Sequence, residues 1–346
     1  MPSSTSSSES PPAGHKRPGR RWGAIWLGVA IATTGVVAGA EATWRSLGFT
    51  PGLQDSAALW SIQRDRVYGN DPVPLVFLGA SRTQYGFDLD RLRRAAPAYQ
   101  PIMLAVNGLY PMAALRDLAR DTNFRGIVVC DVELLAFWPE FREYPQEYVS
   151  YYHQQWTPSW RIHREVLSRW QELSVLGSPR FSWLSALRYA TSQNKPFHDY
   201  AQLHRSREGD IDYQLVDTEA SKRHFAEAAE GNLARLPIHN PDDWFQGLDE
   251  VFGWVRRIQS RGGRVIFYRS PVSGPQETII EERFPAEQYW NRFLKASPAP
   301  VIDANRIPVL DSFLLPDDSH LDYRDKAAYT LTWLQVMQDR GLLESD

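Results

Sequence analysis

The sequence predicts an α/β protein in which a doubly wound parallel sheet carries a helical insertion and follows one N-terminal transmembrane helix. Residues 22–40 form a stretch of nineteen residues without a charge. Five short apolar runs follow, and helical patterns lie between most of them. Continuous apolar runs, rather than alternating ones, are typical of parallel strands that helices cover on both faces.

The N-terminal segment predicts where the chain lies. Residues 1–21 are rich in Ser, Pro and basic residues, which predicts a disordered basic cytoplasmic tail. As a helix, residues 22–40 would span roughly 30 Å, the thickness of a bilayer's hydrocarbon core. Because basic residues before such a helix favour the cytoplasmic side, we expect a single-pass membrane protein whose main domain is periplasmic or extracellular. Ala38-Gly39-Ala40 also resembles a signal-peptide cleavage site, so a cleaved signal is the alternative.

The remaining elements are predicted in chain order. Residues 41–71 form a juxtamembrane segment with a helical stretch at 53–68, and the main domain occupies 72–346. Amphipathic patterns predict helices at 112–121, 243–260, 286–294 and 324–338. Apolar runs predict strands at 75–78, 102–106, 127–130, 265–268 and 301–302.

The strand pattern lapses between residues 132 and 242. This stretch holds many of the aromatic residues and shows amphipathic patterns at 160–173 and 181–189. It is too long for an ordinary connection, since most loops in compact domains have about 4–6 residues. We therefore predict a mostly helical insertion that serves as a lid, a substrate platform or a partner surface.

Composition excludes several classes of function. The net charge is −3 and no basic stripe follows the N-terminus, so we expect no nucleic-acid partner. The single cysteine, Cys130, lies in an apolar run, which excludes an intramolecular disulfide and predicts a buried thiol. The histidines show no metal-ligand spacing, and we expect neither a metal nor a cofactor.

Ser81 follows the first predicted strand directly. Parallel α/β sheets place their binding sites at the carboxyl ends of the strands, and this position puts a hydroxyl there. The surrounding residues do not form the G-x-S-x-G motif of the α/β-hydrolases. A serine at this position is either a nucleophile or the cap of the helix that begins here.

The segment before the last predicted helix supplies partners for such a nucleophile. A nucleophilic serine needs a base, and the base needs a carboxylate that orients it. Asp317 and His320, three residues apart, provide both groups from one turn. Asp318 is an alternative to Asp317 as the orienting carboxylate.

On these residues the chain resembles the SGNH (GDSL-like) hydrolase superfamily over residues 72–131 and 262–340. Ser81 in Gly79-Ala80-Ser81-Arg82 matches the block that holds the family's nucleophile, and Asp317-Asp318-Ser319-His320 matches its D-x-x-H block. Asn107-Gly108 resembles the second block, which implies oxyanion stabilisation by the backbone of Gly108 and by the amide of Asn107. The resemblance also implies a flavodoxin-like, three-layer domain.

One block departs from this pattern. The family has G-x-N-D after its third strand, whereas this chain has Cys130-Asp131-Val132-Glu133. An ionised Asp131 cannot donate a hydrogen bond to an oxyanion. Either Asn107 substitutes for the missing donor, or the site uses fewer donors, or the site is degenerate.

Two arginines near the expected site have two interpretations each. Arg82 follows Ser81 directly, and Arg269 ends the fourth predicted strand. Each guanidinium either binds an anionic sugar or acyl-donor phosphate or forms a structural ion pair, for which Asp303 is a candidate partner of Arg269.

The architecture is similar to that of membrane-anchored SGNH-like proteins of cell-envelope acylation, such as alginate O-acetyltransferases and teichoic-acid D-alanylation proteins. The resemblance implies a serine acyltransferase or esterase that acts on the O-acyl groups of cell-envelope glycans or exopolysaccharides. It also implies a membrane-bound O-acyltransferase as a partner. The alternative is a non-catalytic scaffold for such an acyltransferase.

Overall fold

The computed structural model describes residues 19–179, 181–182, 184, 200–235 and 240–344. The chain divides into two units, residues 1–49 and residues 50–346. In the first unit, helix α1 (Gly19–Ser46) covers the predicted apolar stretch. Its segment Arg21–Ser46 is long and apolar enough to cross a membrane. The second unit begins at Thr50 and therefore contains most of the predicted juxtamembrane segment.

The second unit is built on a parallel sheet of five strands. Its members, in chain order, are β1 (Val73–Leu78), β2 (Tyr99–Met103), β3 (Ile127–Asp131), β6 (Arg264–Arg269) and β7 (Val301–Asp303). They are arranged in the order β2-β1-β3-β6-β7. A separate antiparallel pair consists of β4 (Ala201–Leu203) and β5 (Gly209–Ile211). The predicted parallel α/β sheet is thus confirmed.

Helices connect the strands and fill the insertion. Before β3 lie α2 (Ala57–Arg64), α3 (Ser81–Gly86), α4 (Leu89–Ala95) and α5 (Met112–Arg120). The region between β3 and β6 contains α6 (Gln146–Gln154), α7 (Pro158–Leu173), α8 (Thr218–Arg235), α9 (Pro241–Gln246) and α10 (Leu248–Gln259). The last part of the chain forms α11 (Gly274–Arg283), α12 (Trp290–Ala296), α13 (Pro308–Asp311) and α14 (Tyr323–Asp339).

Successive residues of the central strands point into two separate hydrophobic cores. Val76 and Leu78 of β1 pack into the core that contains residues of α5 and α10. Leu75 and Phe77 pack into the core that contains residues of α4 and α14. Side chains alternate between the faces of a strand, so an apolar run buries both faces only when helices cover each side. The sheet is therefore the middle one of three layers.

The strand order places a crevice at the carboxyl end of β1. The chain moves from β1 outward to β2 and then returns to the other side of β1 for β3. In open α/β sheets, ligands bind where the strand order reverses in this way. The residues that follow β1 and β3, including Ser81 and Asp131, lie at this edge.

Several element predictions need correction. Strand β2 covers 99–103 rather than 102–106, and the helix predicted at 243–260 is two helices that meet at Gly247. The insertion also contains the β4–β5 hairpin, since a three-residue strand is too short to show a period. Helix α11 was not predicted from the sequence, because its apolar residues do not form a helical stripe. The predicted helix at 181–189 lies largely outside the described residues.

Candidate active site

The turn after β1 fixes the position of Ser81. Ser81 is the first residue of α3, and Ala80 occupies the N-cap position, so Ser81 is not the cap of this helix. The turn is tight because Gly79 packs closely on its neighbours. A Cβ at Gly79 would lie 2.2 Å from Thr83 Oγ1 and 2.9 Å from Asp131 Cβ. A side chain at this position would push α3 away from β3.

His320 contacts both residues that were predicted as its partners, Ser81 and Asp317. Its Nε2 lies 2.8 Å from Ser81 Oγ, and its Nδ1 lies 2.9 Å from Asp317 Oδ2. Asp317 and His320 are buried, whereas Ser81 is partly exposed. The structure therefore brings Ser81, His320 and Asp317 together in a continuous chain of hydrogen-bonding groups.

The surroundings of Asp317 set the direction of these hydrogen bonds. Its Oδ1 accepts the backbone N–H groups of Ser319 (2.9 Å) and His320 (2.7 Å). Burial alone would raise the pKa of Asp317, but the hydrogen bond and charge of His320, together with the nearby Tyr213 hydroxyl, lower it below its usual value. The ionised carboxylate can only accept, so Nδ1 donates to it and Nε2 is left to accept the Ser81 proton.

Asp318, the alternative orienting residue, faces another part of the molecule. Its backbone is in the left-handed region, with φ 64°. Its carbonyl accepts the N–H of Ser273, and its carboxylate lies against Gly274 and 3.5 Å from Ser273 Oγ. In this structure, Asp317 is the carboxylate that contacts His320.

Gly108 and Asn107 differ in their relation to the site. Gly108 has φ +75°, a conformation that glycine adopts readily, and it borders the cleft beside Ser81. Within the described residues its N–H has no protein acceptor. The Asn107 backbone N–H instead donates to Gln84 Oε1 at 2.9 Å, and Asn107 is absent from the described cleft lining.

Asp131 is a structural link between two turns at this edge. Its Oδ2 accepts the hydroxyls of Thr83 and Ser270, each at 2.6 Å, and its Oδ1 accepts the Ser270 N–H at 3.0 Å. Burial raises the pKa of Asp131 more than these hydrogen bonds and the charge of Arg82 lower it. The residue ties the α3 turn to the end of β6 and holds both in place.

Arg82 is held by protein groups on both sides. Its Nε donates to Ser319 Oγ at 3.0 Å, and its Nη1 pairs with Glu133 Oε2 at 3.0 Å. Glu133 also lies near the Tyr110 hydroxyl. Burial first, and the Glu133 charge second, raise the pKa of Tyr110 well above its usual value. Arg82 thereby joins the turn of Ser81 to the loop of His320.

Arg269 borders the cleft but also has carboxylate neighbours. Its Nη1 lies 3.5 Å from Asp303 Oδ2, and its Nη2 lies 3.8 Å from Glu277 Oε1. The guanidinium also lies 5.2 Å from the ring centroid of Trp290. These contacts agree with the structural interpretation of Arg269, and its partly exposed edge still faces the cleft.

A cleft of about 440 Å³ opens beside Ser81 and His320. Its lining combines polar residues that follow the strand ends, such as Ser81, Asp131 and Ser270, with many apolar side chains. Helix α8 of the insertion forms one wall, and its Phe225 ring lies 5.4 Å from the His320 ring. Further apolar lining residues come from several elements: Leu109, Leu135, Phe141, Ala229, Leu233 and Ile280.

The insertion thus supplies two site residues that the sequence analysis missed, Tyr213 and Phe225. Neither lies in a motif or in a strongly periodic segment, so no local signal marks them. Within the described part of the chain, no group of His, Cys, Asp and Glu is arranged to hold a metal ion.

Comparison of the chain with protein-family models and with curated proteins found no match.

Proposed function

We propose that this chain is a membrane-anchored, exported serine acyltransferase or esterase of SGNH type. Its substrates would be the O-acyl groups of cell-envelope glycans or exopolysaccharides. The observation that carries the proposal is the contact of His320 with Ser81 at 2.8 Å and with Asp317 at 2.9 Å. A nucleophile, a base and an orienting carboxylate in this order are the groups that acyl transfer needs.

The reaction proceeds by double displacement. His320 Nε2 takes the hydroxyl proton of Ser81 as Oγ attacks the ester carbonyl. The tetrahedral intermediate then collapses, the ester C–O bond breaks, and the leaving alcohol receives the proton from His320. In the second half, His320 deprotonates water or a sugar hydroxyl, which attacks the acyl-serine. Ser81 leaves and recovers its proton, so the enzyme is regenerated.

Two backbone N–H groups are the candidates for stabilising the oxyanion. Those of Ser81 and Gly108 border the cleft and have no protein acceptor within the described residues. Asp131 is already an acceptor for Thr83 and Ser270, so it contributes no donor. A missing donor typically costs about 10²–10³-fold in rate, so we expect slow turnover relative to enzymes with a complete set.

The cleft favours an acyl group on the apolar side of Ser81. Aliphatic side chains such as Leu135, Leu233 and Ile280 offer no hydrogen bonds to sugar hydroxyls. The polar part of the lining, which includes Arg82 and Glu133, is the better surface for the leaving alcohol or the acceptor sugar. We therefore place the acyl chain against α8 and the glycan towards the strand ends.

Substitution of the nucleophile tests this function. In the purified full chain, Ser81→Ala should abolish labelling by a fluorophosphonate probe and lower the hydrolysis of p-nitrophenyl acetate by at least about 10³-fold. Ser312→Ala, at an exposed serine, is the matched control and should leave both measurements unchanged. Undiminished activity in a folded Ser81→Ala variant would rule the proposal out.

The second candidate function is a scaffold for a membrane-bound O-acyltransferase, and the observation that favours it is the structural use of Asp131. A scaffold needs no reactive serine. Wild-type protein that is folded but not labelled at Ser81 would favour the scaffold over the enzyme.

A further inference from the structure

Helix α7 presents its apolar side to solvent and its polar side to the protein. Arg164, Ser168 and Gln171 are buried, although they are polar. The opposite arc carries Ile162, Val166, Trp170 and Leu173, whose exposed fractions lie between 47% and 73%. At 3.6 residues per turn, these four positions fall on one narrow arc, which we call the α7 stripe. An ordinary surface helix has the reverse arrangement.

The buried side of α7 is held by polar contacts. Arg164 Nη2 lies 3.4 Å from the carbonyl oxygen of Gln54, and Ser168 Oγ accepts from Arg205 Nε at 3.2 Å. Arg205 also pairs with Glu165 of the same helix. These contacts fix the rotation of α7 about its axis, so its stripe faces outward because of specific bonds.

The buried side of helix α7 contacts the chain just after the apolar N-terminal helix. Gln54, the partner of Arg164, is eight residues beyond Ser46, at which α1 ends. Eight extended residues reach at most about 28 Å. If α1 crosses the membrane, the middle of α7 is therefore restricted to the first few nanometres outside it.

The residues on and beside the stripe suit a lipid surface. Trp170 is a side chain that prefers the membrane–water interface. Arg169 lies at the edge of the stripe, is exposed, and has no carboxylate partner within the described residues. An apolar arc beside cationic side chains is typical of helices that lie in the interface and bind anionic headgroups.

We propose that the α7 stripe rests on the outer surface of the lipid bilayer that holds α1, with Arg169 at the headgroups of anionic lipids. This inference rests on the membrane anchor in the proposed function and is independent of the acyl-transfer chemistry. The stripe would give the domain a second attachment to the bilayer besides the anchor.

A single introduced cysteine can report on the stripe. Cys130 is buried, so a thiol-reactive NBD dye should label only an added surface cysteine. The full chain carrying Val166→Cys is labelled and reconstituted into vesicles of phosphatidylcholine and phosphatidylglycerol. Val309→Cys is the matched control, since Val309 is also an exposed valine but lies on α13. Leu173→Cys gives a second label on the stripe.

We expect nitroxide-labelled lipids to quench the dye at residues 166 and 173 at least about fivefold more than at residue 309. Equal, weak quenching at all three positions would overturn the proposal. Protection of the dye at 166 that grows with the protein-to-lipid ratio, without quenching by lipid nitroxides, would also overturn it, because it would indicate a second copy or another protein. Carbonate extraction of the same vesicles tests the anchor separately, and fluorophosphonate labelling of Ser81 tests the chemistry.

Discussion

Among single residues, Asp317 does the most to determine what the site can do. Three donors bind its carboxylate, namely two backbone N–H groups and His320 Nδ1, and the nearby Tyr213 hydroxyl also favours its ionised form. These bonds keep the group ionised in spite of its burial, and an ionised carboxylate allows only one tautomer of His320. The basic nitrogen of His320 therefore points at Ser81.

Tyr213 should act as a positioning residue through Asp317. Tyr213→Phe removes one donor, so the pKa of Asp317 should rise and the carboxylate should hold the imidazole less firmly. A hydrogen bond to a charged group contributes about 1.5–3 kcal/mol, so we expect kcat for p-nitrophenyl acetate to fall roughly 10-fold with little change in KM. The acid limb of the plot of kcat against pH should also move to higher pH.

The matched control for this variant is Tyr323→Phe, at an exposed tyrosine outside the cleft. An unchanged pH profile in Tyr213→Phe, even with reduced activity, would argue against the role of Tyr213 in holding Asp317.

At the scale of elements, the turn from β1 into α3 needs a glycine at position 79 but not at position 86. A Cβ at Gly79 would collide with Thr83 and Asp131, whereas a Cβ at Gly86, in the same helix as Ser81, would meet nothing within 4 Å. The close packing at Gly79 places Ser81 within reach of His320.

The pair Gly79→Ala and Gly86→Ala tests this packing. Overpacking typically costs about 1–3 kcal/mol, so Gly79→Ala should lower the thermal midpoint and reduce fluorophosphonate labelling of Ser81. Gly86→Ala should keep full labelling. Equal labelling rates in the two variants would show that the turn tolerates the shift without displacing Ser81.

An element could be predicted from the sequence only where the residues that determine it lie close together in the chain. The strands of the sheet are apolar runs covered on both faces, so their approximate positions can be predicted from the sequence, although β2 begins three residues earlier than predicted. The convergence of Ser81 and His320 at one edge of the sheet follows from these positions. The hairpin and Tyr213 depend on contacts made across the insertion, which no local pattern encodes. Asp131 shows a further limit of prediction from sequence. An ionised aspartate cannot be a donor, and this can be predicted, but the sequence does not reveal that Thr83 and Ser270 are its partners.

At the scale of the whole molecule, Glu208 links stability to pH. It is buried, its carboxylate accepts the N–H of Leu89, and burial raises its pKa from the usual 4.5 to about 7, against the opposing charges of Lys326 and His204. A carboxyl group whose pKa is raised in the folded state contributes stability that is fully present below pH 4.5, its pKa in the unfolded chain. That contribution is lost as the pH rises through about 7.

Glu208→Gln should therefore flatten the dependence of stability on pH. At pH 5 the variant and the wild type should have similar thermal midpoints, and at pH 8 the variant should be more stable, by on the order of 3 kcal/mol at most. Glu172→Gln, at an exposed glutamate that lines the same surface pocket as Glu208, is the control and should retain the wild-type slope. Parallel pH curves for Glu208→Gln and the wild type would contradict the assignment.

The hydrogen bond between Ser81 and His320 joins residues that are 239 positions apart in the chain. The chain is made from its N-terminus, so Ser81 is synthesised 239 residues before His320. Because contacts between such distant segments form late in folding, the Ser81 hydroxyl lacks this imidazole neighbour until the segment with His320 has been made and has folded. A chain that stops before residue 320 would therefore carry Ser81 without the group that activates it in the proposed function.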